Sequence, residues 1–264
     1  MGSVGKGIAG KIEFMKITGV AIADSFNSKA VNSPSRQDVH LMFDRIARKY
    51  DLLNRIFSFG QDIVWRKKLA RMLSRHKCAE VLDLATGTAD VLISGFKHNI
   101  YMKTGVGIDM AGEMLRAGQR KIENSKLSGK TVLLRADALA LPISDNSFDA
   151  ITISFGIRNV VEVEKALKEM HRVLRAGGKC LILEFALPAN SILRRMFLIY
   201  LRNFIPFIGG LLTHDKSAYR YLNQTVETFP CGEQFADIMR QVGFGDVRVK
   251  SMTFGVAMIY EGTK

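Results

Sequence analysis

Polar residues and glycine follow a predicted strand in the stretch 79–92, and their types suit the binding of a nucleotide-like ligand. Apolar residues run up to Asp83, small residues surround Gly87, and a helical pattern then begins. Glycine lets a ligand approach the backbone closely, and a carboxylate at a strand end accepts hydrogen bonds from hydroxyl or amino groups. An aspartate with a glycine-rich turn also commonly connects a strand to a helix without binding a ligand. This corner alone therefore leaves both a binding role and a purely structural role open.

Three further predicted strands end in residues of the same kind. Asp109 ends the second strand, Asp137 and Ala138 follow the third, and Ser154 ends the fourth. In an open parallel sheet the ligand lies outside the carboxyl ends of the strands, so we expect these residues to converge on one crevice. An acid ending the second strand suits a ribose diol, and an acid one strand further suits an adenine amino group. Helix capping or a solvated turn is the alternative for each aspartate, and we favour it for Asp90.

The elements that position these residues alternate regularly along the chain. Strands are predicted near 79–83, 105–109, 131–136, 149–154 and 179–185, with helices at 110–126 and 161–175. This alternation predicts an α/β fold with a mostly parallel, doubly wound sheet. A helix at 233–242 follows, and the strands 246–253 and 255–261 are so close in sequence that they must form an antiparallel C-terminal hairpin. The predicted sheet therefore has seven strands.

The remaining stretches predict a single domain at 36–264 that follows a poorly ordered extension at 1–35. The extension mixes Gly, Lys and Ser with short apolar pieces and has no sustained period. Apolar residues at helical spacing predict a helical cap at 36–76 with a break at 58–60, and a second helical segment is expected at 190–222. The run Ala176-Gly177-Gly178 is expected to end the helix before the fifth strand.

Composition limits the function classes. The chain has 38 Lys and Arg against 25 Asp and Glu, a net charge of +13, which favours a polyanionic partner such as nucleic acid or an anionic membrane. Its 3 cysteines are far apart and odd in number, which indicates a reducing compartment, and its 5 histidines are scattered, so no metal site is predicted. No run is apolar and long enough to cross a bilayer, so we expect a cytoplasmic protein that is soluble or lies on a membrane surface.

A family resemblance is carried by the runs 81–90, 107–109, 136–142, 151–159 and 172–178. They resemble the class I S-adenosylmethionine-dependent methyltransferases, which have a Rossmann-like fold, and more narrowly the ubiquinone/menaquinone biosynthesis C-methyltransferase family. The resemblance covers about 43–261. Its most specific part is the Ser-Phe-Gly-Ile-Arg-Asn run at 154–159 together with Tyr50-Asp51.

The resemblance implies binding of S-adenosylmethionine and methyl transfer to a ring carbon of a demethylated, polyprenylated quinol. The positions that match the family's cofactor-binding residues are Thr88, Asp109, Asp137, Ala138 and Ser154. The chain departs from the family at Thr86 and Ala89, where glycine is common. A side chain at either position is expected to narrow the approach to the backbone.

The chemistry requires a base or a cation beside the reacting ring, because a quinol carbon becomes nucleophilic when a neighbouring hydroxyl loses its proton. Arg158 is our candidate, acting through a water or as a counter-charge, with a structural ion pair as the alternative. Tyr50 is expected to orient the hydroxyl, and the pair His214-Asp215 is a weaker base candidate. The bacterial appearance of the chain favours demethylmenaquinol over a benzoquinol of the ubiquinone pathway.

Three other functions compete with this one. A nicotinamide dehydrogenase needs G-x-G-x-x-G, which the stretch 86–90 does not supply. A nucleic-acid methyltransferase is favoured by the charge, but base-amine methylation usually uses an Asn/Asp-Pro-Pro-aromatic turn where this chain has 154–157, so no nucleic-acid partner is predicted. A noncatalytic membrane subunit is disfavoured by the intact cofactor positions, although a methyltransferase for another small molecule stays open.

The stretch 191–212 is expected to meet the membrane, because a polyprenylated quinol is dissolved in the bilayer. It combines many apolar residues with Arg194, Arg195 and Arg202, and breaks are predicted at Pro206 and Gly209-Gly210. These features are typical of an interfacial helix that covers an isoprenoid tail while its arginines contact anionic headgroups. A helix that packs on the sheet, or a contact between two copies in a homodimer, is the alternative.

Overall fold

A computed structural model describes residues 38–213 and 216–264. The predicted extension at 1–35 and the pair His214-Asp215 lie outside the described residues. Two helices occupy the predicted cap, α1 (Val39–Phe57) and α2 (Gln61–Arg75). The turn between them contains Phe59 and Gly60, both with positive φ (50° and 76°).

Seven strands form one sheet in the order β3-β2-β1-β4-β5-β7-β6. The strands are β1 (Glu80–Leu84), β2 (Thr104–Asp109), β3 (Thr131–Arg135), β4 (Phe148–Ser154), β5 (Leu174–Phe185), β6 (Gly245–Met252) and β7 (Ala257–Thr263). The pairs among β1 to β5 are parallel, whereas β7 is antiparallel to both of its neighbours. The predicted fold class is confirmed.

Helices cover both faces of the sheet because alternate strand residues point to opposite sides. The sheet-connecting helices are α3 (Asp90–His98), α4 (Gly112–Asn124), α5 (Val163–Val173) and α9 (Glu233–Val242). On one face, Leu82 and Leu84 belong to a buried cluster that includes residues of α5 and α9. On the other face, Val81 belongs to a cluster that includes residues of α2 and α3.

The helix before the fifth strand ends earlier than predicted. Helix α5 stops at Val173, and Leu174 already pairs with Phe148 of β4. The glycine turn at Gly177 (φ 76°) lies inside β5, and its N–H donates to the carbonyl of Lys264 at 2.8 Å. Pairing of Leu174 with β4 therefore ends the helix. The glycines form a turn within β5 and do not cap the helix.

The segment after β5 is helical beyond the predicted limit. It consists of α6 (Ser191–Ile199), a π-helical turn (Tyr200–Phe204), α7 (Ile205–Thr213) and α8 (Lys216–Thr228). The predicted breaks at Pro206 and Gly209-Gly210 are wrong, since α7 runs through both. The irregularity lies one turn earlier: the Ile205 N–H donates to the carbonyl of Tyr200, and a π turn accommodates a proline that has no N–H to donate. Among the described residues, no helix is both long and apolar enough to cross a membrane.

Candidate functional site

Two adjoining cavities open at the carboxyl ends of the parallel strands, next to helix α1. The smaller, of about 320 Å³, lies where strands β1 to β4 end. The larger, of about 380 Å³, lies between α1, α2 and the segment from α6 to α8. Four residues line both cavities, namely Phe43, Tyr50, Phe155 and Asn159. A ligand in one cavity would therefore face a ligand in the other.

The smaller cavity brings together most of the predicted cofactor residues. Its walls include Gly87, Asp109, Asp137, Ala138 and Ser154. These residues come from the ends of four different strands, as the topology of an open parallel sheet requires. Their contact with a cofactor stays a prediction.

Asp109 holds the two loops that border the smaller cavity. Its Oδ2 accepts a hydrogen bond from the N–H of Gly87 at 2.8 Å, and its Oδ1 accepts one from the N–H of Ala111 at 2.8 Å. Burial raises the pKa of Asp109, and the N–H groups of Ala111 and Gly87 counteract this shift. Each carboxylate oxygen has a second lone pair, so the side chain can also accept from a ligand hydroxyl.

The glycine corner is built from residues with unusual backbone angles. Ala85, Gly87 and Ala89 have φ values of 47°, 54° and 63°. Positive φ is uncommon for alanine, so two residues hold a conformation that favours glycine. A Cβ placed on Gly87 would meet no atom within 4 Å, which leaves open space beside the backbone at the point where the corner borders the cavity.

The side chain of Thr86 points away from the cavity. Its hydroxyl donates to Asp83 Oδ2 at 2.7 Å, and neither Thr86 nor Ala89 lines the cavity. Gly107 makes room for this arrangement, since a Cβ there would lie 2.9 Å from Thr86 Oγ1. The expectation that these two departures from the family narrow the approach to the backbone is therefore wrong.

Asp83 lies beneath the corner and does not line the cavity. Its carboxylate is buried and accepts hydrogen bonds from the hydroxyls of Thr86 at 2.7 Å and Thr152 at 2.6 Å. Burial raises the pKa of Asp83 to about 7, against the opposing effect of these two hydrogen bonds. Asp83 therefore stabilises the loop through its hydrogen bonds and does not itself border the space for a ligand.

Thr88 is likewise directed into the protein. Its hydroxyl donates to Asp51 Oδ1 at 2.7 Å and accepts from Lys121 Nζ at 3.0 Å. Lys121 also contacts Asp51 at 2.9 Å and bonds to Asp90. Asp90 is therefore more than a helix cap or a solvated residue, because it takes part in a partly buried group of charges.

Two further predicted residues offer polar atoms to the smaller cavity. The Oδ1 of Asp137 accepts from the N–H of Leu139 at 2.9 Å, a local turn that fixes the exposed side chain. The buried hydroxyl of Ser154 has no hydrogen-bond partner among the described residues. A buried polar atom without a partner calls for an explanation, and a ligand hydrogen bond supplies one.

Aromatic and aliphatic side chains dominate the larger cavity. Phe57, Trp65, Phe185, Phe197 and Tyr219 are among the residues on its walls. Its polar residues include Asn159 on the shared wall, and others that line only this cavity, among them Arg158, Ser58, Gln61 and Asp62. A mostly apolar cavity with few polar groups is typical of small-molecule sites.

Arg158 forms the buried ion pair that the sequence left open as its alternative role. Its Nη1 lies 2.6 Å from Glu184 Oε1 and donates to the carbonyl of Phe155 at 2.7 Å. The guanidinium also lies over the Phe185 ring, 5.3 Å from its centroid. Its Nε has no partner among the described residues, and the side chain lines the larger cavity. The ion pair therefore fixes Arg158 while one N–H donor stays available.

Tyr50 lies on the wall between the two cavities. Burial raises the pKa of its phenol, against the opposing effects of a hydrogen bond with Asn54 and the positive charges of Arg66 and Arg158. At neutral pH the phenol therefore keeps its proton and acts as a hydrogen-bond donor. This state suits the orienting role that the sequence predicts.

Arg66 is a site residue that the sequence analysis missed. It lines the larger cavity, its side chain is buried, and its Nε has no partner among the described residues. Its Nη1 lies 2.5 Å from Asp62 and 3.5 Å from Asp90. In the sequence, Asp62 and Arg66 are four residues apart on a helix and resemble an ordinary surface pair, so only the tertiary structure identifies the cavity position.

The model of the ubiE/COQ5 methyltransferase family matches residues 30–264. A demethylmenaquinone methyltransferase of Bacteroides fragilis is 40% identical over 86% of this chain and 93% of its own length. A ubiquinone/menaquinone biosynthesis C-methyltransferase UbiE of a Geobacter species is 43% identical, over 88% of this chain and 98% of its own length.

Solved structures share the fold at low sequence identity. A SAM-dependent methyltransferase of Thermotoga maritima superposes with a TM-score of 0.61 at 18% identity, covering 85% of this chain and 99% of that one. A putative S-adenosyl-L-methionine-dependent methyltransferase of Methanococcus maripaludis gives a TM-score of 0.56 at 15% identity, covering 91% and 97%. At these identities the comparison supports the fold alone.

The raised pKa of Asp83 predicts a specific dependence of stability on pH. Between its ordinary value of 3.8 and about 7, the folded protein binds more protons at this carboxyl than the unfolded chain does. The contribution of Asp83 to the free energy of unfolding therefore falls as pH rises through this window. The fall is about 1.4 kcal/mol for each unit by which the pKa in the folded protein exceeds that in the unfolded chain. We expect the Tm of Asp83→Asn, relative to the parent, to rise between pH 4 and 7 and then level off. Asp246→Asn, at an exposed position, is the control. Difference curves with the same dependence on pH for Asp83→Asn and the control would contradict the prediction.

Proposed function

This chain belongs to the ubiE/COQ5 methyltransferase family, and we propose that it transfers a methyl group from S-adenosylmethionine to a ring carbon of a polyprenylated quinol. The acceptor we infer is a demethylmenaquinol, which becomes a menaquinol. The observation that carries this proposal is the pair of adjoining cavities, one bordered by strand-end aspartates and the other mostly apolar. The names of the relatives support the quinone class, and one of them also includes ubiquinone.

The smaller cavity fits S-adenosylmethionine. Open space beside Gly87 admits the ligand to the backbone, and the Ser154 hydroxyl is available as a partner. Asp109 would hold the ribose hydroxyls, and Asp137 would lie near the adenine amine. When bound, this cofactor supplies a methyl group on a sulfonium, which is electrophilic.

The larger cavity supplies hydrogen-bond donors for an oxygen on the acceptor ring. Arg66 and Arg158 each have a buried Nε–H without a partner among the described residues, and both line this cavity. Both guanidiniums are already paired with carboxylates, so they suit charge that develops during the reaction better than a permanent anion. As the ring hydroxyl loses its proton, these donors stabilise the oxygen, and the adjacent ring carbon becomes nucleophilic.

The ring carbon would then form a bond to the methyl carbon, and the sulfur would keep the electron pair of the bond that breaks. The hydrogen on that ring carbon would leave as a proton and the ring oxygen would regain one, so the ring becomes aromatic again and one proton is released to solvent in total. Tyr50 donates to a ring oxygen and orients it, because its raised pKa keeps the phenol protonated. The apolar walls of the larger cavity exclude water, which strengthens these interactions.

Access to a lipid-soluble acceptor requires contact with a membrane, and we assign this contact to helix α6. Its side chains Ile192, Met196 and Ile199 are exposed, and Arg194 and Arg195 are exposed beside them. Arg202 differs from the sequence expectation, because it pairs with Glu227 at 2.5 Å and is therefore partly neutralised. Arg194 and Arg195 are the residues that we expect to face anionic headgroups.

The reaction is tested by identifying its product. Purified protein is incubated with S-adenosylmethionine carrying a labelled methyl group and with lipids from cells that lack quinone C-methylation. We expect the label on a menaquinone-type ring, detected by mass spectrometry. Label only on a benzoquinone ring would move the function to the ubiquinone pathway, and label on no quinone would overturn the proposal.

The variant Asp109→Ala tests whether Asp109 binds the cofactor. Losing a charge-assisted hydrogen bond costs about 1.5 to 3 kcal/mol, so the dissociation constant for S-adenosylmethionine should rise by about one to two decades. Calorimetry measures this constant directly. An unchanged affinity in a folded variant would remove Asp109 from the cofactor site.

Arg66→Lys separates the donor role of Arg66 from its role in ion pairs. Lysine keeps the positive charge beside Asp62 and Asp90 but loses the Nε–H, so we expect kcat to fall by about 10- to 100-fold. The affinity for S-adenosylmethionine and the Tm should stay close to the parent values. Single-turnover kinetics measures the chemical step directly.

Arg55→Lys is the matched control for this variant. Arg55 contacts the same two carboxylates, at 2.8 Å from Asp62 and 3.7 Å from Asp90, but does not line the cavity. We expect its kcat to match the parent. Equal losses of kcat in Arg55→Lys and Arg66→Lys would assign the effect to the ion pairs and refute the donor role.

The double variant Arg194→Gln, Arg195→Gln tests the contact through α6. Each basic residue near an anionic surface contributes about 1 kcal/mol, so sedimentation with anionic vesicles should weaken by about 30-fold. Binding of S-adenosylmethionine should be unchanged, because both residues are exposed and line neither cavity. Sedimentation equal to that of the parent would remove α6 from the membrane contact.

A further inference from the structure

Two turns beside the larger cavity expose aromatic side chains in strained backbone conformations. Phe59 in the turn between α1 and α2 is 75% exposed and has φ 50°, and Phe254 in the turn between β6 and β7 is 83% exposed and has φ 57°. Positive φ is a genuine outlier for a bulky residue. The Phe59 ring contacts the Tyr200 ring, with 5.8 Å between the centroids, whereas the Phe254 ring is mostly exposed and recovers little of the cost by packing. Strained backbone that carries an exposed aromatic ring indicates a functional role for these positions.

Direct contacts place both turns at the same opening. Phe59 lines the larger cavity, as do Thr253 and Val256 on either side of the second turn. The Trp65 Nε1–H of α2 donates to Thr253 Oγ1 at 2.8 Å, and Gly255 packs against Pro188, just before α6. Other large apolar side chains exposed on α2 and α6 are Ile63, Val64, Ile192 and Met196. Exposed apolar groups from three parts of the chain thus lie on elements that border the larger cavity.

A group of positive charges continues from this apolar rim. Lys68, Arg71 and Arg75 follow one another along one face of α2, and Lys250 of β6 is close enough to Lys68 to lower its pKa. The side-chain interaction with Lys250 and the charge of Lys250 are the main causes of the lowered pKa of Lys68, followed by slight burial and by Arg75 and Arg71. Within 38–213 and 216–264, none of these four cations forms an ion pair. Like charges held together in this way favour an anionic partner.

We propose that this face, Phe59, Ile63, Val64, Phe254, Lys68, Arg71 and Lys250, docks on an anionic lipid bilayer. Its apolar side chains lie on α2 and on the two turns that border the larger cavity, so the cavity would open onto the lipid. The inference rests on the proposed function, since a cavity of about 380 Å³ holds a drug-sized group and a long polyprenyl tail must continue through the mouth. Aromatic rings at headgroup level beside lysine and arginine are typical of interfacial proteins.

A lipid surface explains this face better than a nucleic acid does. Nucleic-acid sites combine cations with rings on which bases stack, whereas the rim here also exposes aliphatic side chains such as Ile63 and Val64, which offer no stacking surface. Aliphatic side chains gain free energy by entering the acyl boundary of a bilayer. The apolar side chains therefore match the acyl region of a bilayer, and the adjacent row of basic side chains matches its anionic headgroups.

Two variants test the docking face by binding to vesicles of phosphatidylcholine with and without phosphatidylglycerol. The triple variant Lys68→Gln, Arg71→Gln, Lys250→Gln should bind the anionic vesicles about 100-fold more weakly than the parent. Phe254→Asn should bind both vesicle types more weakly. Its Tm should rise, because asparagine tolerates positive φ better than phenylalanine does.

Matched controls lie at the opposite edge of the sheet, where strands β2 and β3 begin. Lys97→Gln, Lys103→Gln, Lys130→Gln removes the same charge, and Ile100→Ser removes an apolar side chain that is 85% exposed. We expect both controls to bind vesicles like the parent. Parent-like binding by the docking-face variants, or equal losses in the controls, would overturn the proposal. Loss of DNA binding in the triple variant with unchanged vesicle binding would overturn it in favour of a nucleic-acid surface.

A second measurement separates this inference from the proposed function. Methyl transfer to a short-chain quinol in detergent needs no bilayer, so the docking-face variants should keep the parent rate there while losing vesicle binding. Parent protein without activity on any quinol would overturn the proposed function and, with it, the reason for a membrane-facing mouth. Normal activity with unchanged vesicle binding in both variants would overturn the docking face alone.

Discussion

Six charged side chains hold the helical cap against the carboxyl ends of the parallel strands, where both cavities lie. They come from four helices and comprise Asp51 and Arg55 of α1, Asp62 and Arg66 of α2, Asp90 of α3 and Lys121 of α4. Three carboxylates balance three cations, which allows the partly buried group to be stable. Removing one partner from a buried pair such as Asp62–Arg66, whose side chains are 3% and 8% exposed, typically costs about 3 to 5 kcal/mol, so this pair contributes strongly to the position of the cap. Helix α1 in turn supplies a wall to each cavity.

The sequence predicted the parts of the site that follow from strand order. Asp109, Asp137, Ala138 and Ser154 were grouped because parallel strands end at one edge, and the structure places all four on one cavity. Asp83 belongs to the same pattern but points into the protein. Side chains alternate between the faces of a strand, and the sequence alone does not say whether the last acid of β1 faces the loop or the crevice.

The parts that the sequence did not predict depend on contacts between distant residues. Glu184 pairs with Arg158 across 26 positions, although a single charge inside the apolar run 181–185 is itself a signal that a partner must exist. Arg66 gave no such signal, because its spacing to Asp62 is that of an ordinary helical pair. The π turn at Tyr200–Phe204 was also missed, since the proline was expected to break the helix and instead changes the hydrogen bonding one turn earlier.

The wall shared by the two cavities has a thermodynamic consequence. Phe43, Tyr50, Phe155 and Asn159 border both spaces, so each ligand becomes part of the surface on which the other is bound. By linkage, any factor by which the methyl donor changes the affinity for the acceptor must equal the factor by which the acceptor changes the affinity for the donor. The same reciprocity applies after transfer to the demethylated donor and the methylated ring. Any coupling between the release of the two products would therefore act through the side chains of this wall.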